Sequence, residues 1–64
     1  SIINLLNNKD FKKVISTCEG LIKKKKINTQ IYNFYGLAFQ NLGYFDKSIK
    51  YFNRSIKLEV KNYV

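Results

Sequence analysis

Residues 44–56 read YFDKSIKYFNRSI and closely match DFKKVISTCEGLI at residues 10–22. The two stretches lie 34 residues apart, and the same offset places Asn7 on Asn41. A fixed period of this size is typical of stacked supersecondary units. The sequence therefore predicts one structural unit used twice rather than a single irregular domain.

Apolar and basic residues follow a helical period within each copy. In the second copy the apolar and small residues are Phe45, Ser48, Ile49, Phe52, Ser55, Ile56 and Val60, and the basic residues on the opposite face are Lys47, Lys50, Arg54, Lys57 and Lys61. In the first copy the apolar residues are Phe11, Val14, Ile15, Cys18, Leu21 and Ile22. We expect two amphipathic helices, over residues 10–25 and 45–61, with these apolar residues facing inward.

Residues 29–42 predict a third helix between the two copies. Its apolar residues cover much of its circumference and are Ile31, Tyr32, Phe34, Tyr35, Leu37, Ala38, Phe39 and Leu42. Because a helix that is apolar on several sides must contact neighbours on several sides, we expect this one to be an inner helix. Residues 1–7 are typical of the tail of another inner helix, and no strand is expected.

The predicted helix ends carry suitable capping residues. Asn28 or Thr29 can cap the start of the inner helix, and Gly43 follows its end, where a left-handed conformation is least costly for glycine. Asp46 lies in the first turn of the last helix, where its charge suits the helix dipole. Asp10 is expected to act in the same way in the earlier copy.

The second unit resembles the tetratricopeptide repeat, whose pattern is W-x2-L-G-x2-Y, then A-x3-F, then P. The corresponding residues here are Tyr32, Tyr35, Gly36, Phe39, Ser48, Phe52 and Val60. The resemblance implies an all-α fold in which antiparallel helix hairpins stack as a fragment of a right-handed α-solenoid. It also implies that Gly36 allows close approach of the partner helix, with rings such as Phe52 filling the space beside it.

The register of the resemblance divides the chain into three parts. Residues 1–28 are the end of the first helix and the whole second helix of a partial repeat, residues 29–62 are a complete repeat, and residues 63–64 start a next repeat or extend the last helix. Lys9 replaces the turn glycine of the partial repeat. Because Val60 replaces the proline, the last helix can continue through residues 63–64 or be exchanged between chains. The 35-residue pentatricopeptide repeat, an RNA-reading relative in architecture, fits the offset less well.

Residues for catalysis and metal binding are scarce. The chain has no histidine, and the acids Asp10, Glu19, Asp46 and Glu59 are dispersed along it. Cys18 falls on an apolar face without a general base, which is typical of a buried core thiol. We therefore expect a protein that is not an enzyme and that holds no cofactor and no metal.

In the resembling family the inner helices line a concave groove for a partner's peptide. The matching positions here are Gln30, Asn33, Phe34, Leu37, Gln40 and Asn41. Amides can bond an extended peptide backbone, and Phe34 and Leu37 can anchor it, unless these two merely pack on neighbouring inner helices. The resemblance thus implies a protein-interaction scaffold without catalysis. No basic clamp for a C-terminal carboxylate is visible at Asn33 and Leu37, which disfavours binding of a chaperone's tail.

The chain is strongly basic, with twelve Lys and Arg against four acids and a net charge of +8. Such a charge attracts nucleic acid, anionic membranes or acidic partners. The densest run, Lys23–Lys26, ends a predicted helix, where cations offset the dipole. We favour that structural role over nucleic-acid binding. The open alternatives are a basic nucleic-acid or anionic-surface binder and an accessory repeat array of a larger enzyme.

The two ends of the predicted stack leave apolar residues uncovered. These are Ile2, Ile3 and Leu5 at the front and Tyr51, Leu58 and Tyr63 at the back. Because fewer than about three repeats rarely suffice for a stable stack, we expect flanking repeats or a homo-oligomer to cover them. No apolar run is long enough to span a membrane. The compartment stays open, with the cytoplasm favoured.

Overall fold

The computed structural model describes residues 1–62, which form four α-helices and no strand. In chain order the helices are α1 (Ile2–Asn7), α2 (Phe11–Lys23), α3 (Thr29–Asn41) and α4 (Phe45–Asn62). Each helix packs on the next one in the chain, and α3 and α4 share the most extensive contact. The predicted all-α fold is confirmed, and the predicted bounds agree with the observed ones to within two residues.

The core lies between α2, α3 and α4, with α3 in the middle. Its buried apolar residues are Val14 and Cys18 from α2 and Ile31, Tyr35, Ala38 and Phe39 from α3. The partly buried Phe11, Ile15, Leu21 and Ile22 of α2 pack against them, as predicted. The inner position of α3 is therefore confirmed, because most of the core comes from this helix.

Small residues bring α3 and α4 close together. A β-carbon placed on Gly36 would lie only 2.9 Å from two ring carbons of Phe52, so the ring occupies the space that any other residue would need. On α4 the small Ser48 and Ser55 are buried. The Ser55 hydroxyl donates a hydrogen bond of 3.0 Å to the carbonyl oxygen of Thr29. The predicted close approach at Gly36 is thus present, and a cross-helix hydrogen bond accompanies it.

The turns after α1 and α3 have the same conformation. Gly43 has φ +86° and Lys9, 34 residues earlier, has φ +58°. In both turns the next amide donates to a carbonyl five residues back: Tyr44 to Phe39 and Asp10 to Leu5, each at 2.9 Å. This is the Schellman arrangement that ends many helices. Lys9 adopts it despite a steric cost of about 1 kcal/mol that glycine avoids.

The capping predictions hold in part. The Asn28 side-chain oxygen accepts a 2.9 Å hydrogen bond from the Ile31 amide, which makes Asn28 rather than Thr29 the N-cap of α3. Asp46 lies in the first turn of α4, as predicted. The prediction for Asp10 was wrong, because this residue precedes α2 and its side chain makes no capping bond.

The apolar face of α4 is wider than α3 can cover. Of the seven residues expected to face inward, Phe45, Ile49, Ile56 and Val60 are 57–63% exposed, so the prediction was wrong for these four. Tyr51, expected to face a further repeat, packs against the core instead. The reason is geometric: α3 covers the arc of Ser48, Tyr51 and Ser55, and within residues 1–62 no helix lies against the next arc. Tyr63 and the predicted continuation through residues 63–64 lie outside the described residues.

Replacement of Gly36 by alanine should destabilise the fold by about 1–3 kcal/mol, because the new methyl group would displace the Phe52 ring from a packed interface. Urea unfolding followed by circular dichroism measures this free energy.

Gly20→Ala is the matched control, since a β-carbon on Gly20 in α2 meets nothing within 4 Å. That variant should gain about 0.5–1 kcal/mol from helix propensity. Equal stabilisation of both variants would show that α3 and α4 do not touch at Gly36.

The buried Cys18 thiol should make stability depend on alkaline pH. Burial foremost, and the nearby charge of Glu19, raise the pKa of Cys18 from 9.0 to about 11. The unfolded chain therefore loses this proton at lower pH than the folded chain. The contribution is complete below about pH 9 and is lost as the pH rises towards 11.

We expect the free energy of unfolding to fall more steeply between about pH 8 and pH 10.5 in the parent chain than in Cys18→Ala, which has no thiol to titrate. Urea unfolding at both pH values in both proteins measures the difference. Parallel pH profiles would contradict a neutral buried thiol.

Candidate functional site

The six predicted partner-binding residues all lie on α3 and share one face of it. They are Gln30, Asn33, Phe34, Leu37, Gln40 and Asn41, and we call this surface the α3 amide face. Residues spaced by three and four positions lie above one another on a helix. All six are exposed except Phe34, which is half-buried. The structure therefore brings the predicted residues together on one accessible surface.

Members of the α3 amide face differ in what they can offer a partner. Phe34 packs against the core, so part of its ring serves the packing role that was the alternative to binding. The Asn41 amide nitrogen donates to the Leu37 carbonyl oxygen at 2.9 Å within the helix. Gln30, Asn33 and Gln40 point into solvent, next to a Leu37 side chain that is 37% exposed. Three amides and one apolar side chain are thus the accessible groups.

A second surface, which the sequence did not predict, is the α4 apolar face formed by Phe45, Ile49, Phe52, Ile56 and Val60. It begins at the contact between Phe52 and Gly36 and runs the length of α4. Four of its five residues are more than half exposed. Contiguous apolar surface of this kind marks an interaction site more often than scattered apolar residues do. The width of the apolar arc in the sequence was the available signal.

On the other side of α4 an aromatic stack closes the gap to α3. The Tyr51 ring centre lies 4.3 Å from that of Tyr35, 5.8 Å from that of Phe39 and 6.1 Å from that of Tyr32. The Tyr35 hydroxyl donates to a Glu19 carboxylate oxygen at 3.1 Å, which ties α3 to α2. Burial foremost, with the charges of Tyr51 and Glu19, raises the pKa of Tyr35, so its hydroxyl keeps the proton that it donates.

Cations of α4 lie over this stack. The Lys47 nitrogen is 5.4 Å from the centre of the Phe39 ring, the Lys50 nitrogen is 5.5 Å from that of Tyr51, and the Arg54 guanidinium is 5.1 Å from that of Tyr51. Such contacts are worth roughly 0.5–1 kcal/mol each at exposed sites. Part of the basic face of α4 therefore stabilises the fold.

The groups that catalysis would require are not assembled in the part of the chain that the structure describes. Cys18 is fully buried, and its raised pKa keeps it a thiol rather than the reactive thiolate. Residues 1–62 contain no cluster of three or more His, Cys, Asp or Glu able to hold a metal ion. None of their helices is long and apolar enough to cross a membrane.

Two consecutive helix hairpins with the same turn, packed through small residues and leaving extended surfaces open, define an all-α helical repeat protein. The family model for the tetratricopeptide repeat matches residues 29–62, which is more than half of the chain. The chain belongs to that family, as its resemblance predicted. Comparisons with curated proteins and with solved structures give no match. Repeats of this family generally mediate protein–protein interaction and are not catalytic modules.

Proposed function

We propose that this chain is an interaction scaffold that binds an extended segment of a partner protein through the α3 amide face and performs no chemistry. The observation that carries the proposal is the collection of three solvent-facing amides around the exposed Leu37 on one face of a repeat helix. Side-chain amides can both donate to and accept from a peptide backbone. A face of this kind suits an extended segment with an apolar anchor, and requires neither cofactor nor metal.

The repeat boundaries form part of the same proposal. Residues 29–62 act as a complete repeat, and residues 1–28 act as the end of the first helix and the second helix of a preceding one. The matching hydrogen bonds of the turns at Lys9 and Gly43 support this division, because both occur at the same point of their hairpins. Residues 63–64, assigned to a next repeat or a helix extension, lie outside the described residues.

The α4 apolar face is the surface that a flanking repeat or a second copy of the chain would cover. Its Phe45, Ile49, Ile56 and Val60 side chains are each more than half exposed and lie on one side of the helix. Exposure of such a surface to water is unfavourable by about 25 cal/mol per Å² of apolar area. This cost supports a cover in the working protein.

Binding of nucleic acid is the weaker candidate. Lys23 is the last residue of α2, and Lys24, Lys25 and Lys26 surround the turn that closes this helix. Cations at this position stabilise the helix end by roughly 0.3–1 kcal/mol each. The most conspicuous basic run therefore has a structural role.

Peptides selected from a random displayed library against the chain should lose about tenfold in affinity when Asn33→Ala and Leu37→Ala are introduced, because an amide contact and an anchor are removed. Fluorescence anisotropy of the labelled peptides measures Kd.

Lys13→Ala, on the exposed side of α2, is the control and should leave Kd within about twofold. Circular dichroism should show the same helix content in all three proteins. Selected peptides that bind all three equally well would place the binding surface elsewhere.

The isolated chain should self-associate with increasing concentration, and Ile49→Lys with Ile56→Lys should make it monomeric, because two charges would interrupt the α4 apolar face. Sedimentation velocity measures the shift. Ser16→Lys and Gln30→Lys together add the same charge on α2 and α3 and should leave association intact. A well-folded parent chain that stays monomeric at every concentration refutes the need for a cover.

A further inference from the structure

A groove separates the loop before α3 from the C-terminal half of α4. Its volume is about 580 Å³, and its lining residues are Ile27, Tyr32, Arg54, Lys57, Leu58 and Lys61. We call it the basic groove. A volume of this size lies within the range of sites that accept one or two side chains of a ligand. Apolar groups form its floor and three cations form one wall.

The basic groove lies away from the α3 amide face. With about 100° of rotation per residue, Tyr32 lies roughly 140° around α3 from the middle of that face. Variants in the groove and variants in the α3 amide face therefore change different surfaces. An inference about the groove goes beyond the proposed function and can fail independently of it.

Contacts with the aromatic stack hold the walls of the groove in place. The Tyr32 ring stacks on Tyr51 with an angle of 12° between the ring planes. The Arg54 guanidinium lies over the same Tyr51 ring. Ile27, from the opposite wall, is 39% exposed, and Leu58 is half-buried. A binding surface whose side chains are already positioned loses less conformational entropy when a ligand binds.

The wall charges have one sign. Arg54, Lys57 and Lys61 follow at intervals of three and four residues, so they form one line along α4. No acidic side chain lines the groove. The whole chain has four acids for twelve basic residues, so most cations must lack an acidic partner. The Lys23–Lys26 run precedes Ile27 and adds positive charge on the loop side. Charge complementarity thus requires an anionic occupant.

We propose that the basic groove binds an acidic amphipathic peptide segment of a partner protein. One aliphatic or aromatic side chain enters between Ile27, Tyr32 and Leu58, and flanking carboxylates pair with Arg54, Lys57 and Lys61. The apolar floor selects a peptide over a nucleic acid, because aliphatic walls cannot satisfy the polar edges of a base. A nucleic acid is also held by stacking on open ring faces, whereas the Tyr32 ring is already stacked on Tyr51.

The probe is a fluorescein-labelled peptide in which Glu-Glu pairs alternate with Leu-Phe pairs, titrated with the full chain. It should bind, and its Kd should weaken with added salt because exposed ion pairs are screened. A peptide with Gly-Ser in place of Leu-Phe and one with Gln-Gln in place of Glu-Glu should each bind at least about tenfold more weakly. An oligouridine probe should bind more weakly than the acidic peptide.

Two variants separate the floor from the wall. Ile27→Ser lies in a loop, exposes no core, and should weaken the acidic peptide about fivefold to tenfold through loss of apolar contact. Lys57→Gln with Lys61→Gln should weaken it about tenfold or more and reduce the salt dependence. Lys12→Gln with Lys13→Gln removes the same charge from α2 and should change Kd less than twofold.

The proposal is overturned by any of three results. The acidic peptide does not bind, the Gly-Ser peptide binds as well as the Leu-Phe peptide, or oligouridine binds more tightly and Ile27→Ser has no effect on either probe. Asn33→Ala with Leu37→Ala, which changes only the α3 amide face, should leave binding of this probe unchanged.

Discussion

The packing of the Phe52 ring on Gly36 is the contact on which the other features of the repeat depend. Because the ring fills the space where a β-carbon would be, the axes of α3 and α4 can approach through small residues. That approach buries Ser55 and brings its hydroxyl to the Thr29 carbonyl. It also sets the rotation of α4, so that Tyr51 meets Tyr35. A residue without a side chain thereby positions an aromatic stack of several rings.

The rotation of α4 divides its surface into three strips with different roles. One strip, with Ser48 and Ser55, is buried against α3. A second, basic strip covers the aromatic stack and forms a wall of the basic groove. The third is the α4 apolar face. A helix that had only to pack in a single hairpin would need one apolar strip. The extra one indicates that the sequence was shaped by contact with a further surface.

The sequence was sufficient for the helices and turns, because these depend on local chemistry and on period. Left-handed Gly43, the Asn28 cap and the inner position of α3 all follow from residue types within a few positions. The direction of Tyr51 did not, since an amphipathic pattern identifies an apolar arc without saying which part of it a partner covers. The basic groove was also out of reach, because Ile27 and Leu58 lie 31 residues apart and meet only through the fold.

The basic composition of the chain cannot be explained by solubility alone. A lysine that served only hydration would extend into water, yet Lys47, Lys50 and Arg54 lie within 5.7 Å of ring centres. Their positive charge compensates for the scarcity of core that limits so short a unit, since a cation above a ring covers apolar surface with its stem while its head stays hydrated. The cations further along α4, Lys57 and Lys61, have no ring beneath them to account for them in this way. They lie instead beside the apolar floor of Ile27 and Leu58, where a positive wall stabilises the repeat little but favours an anionic ligand.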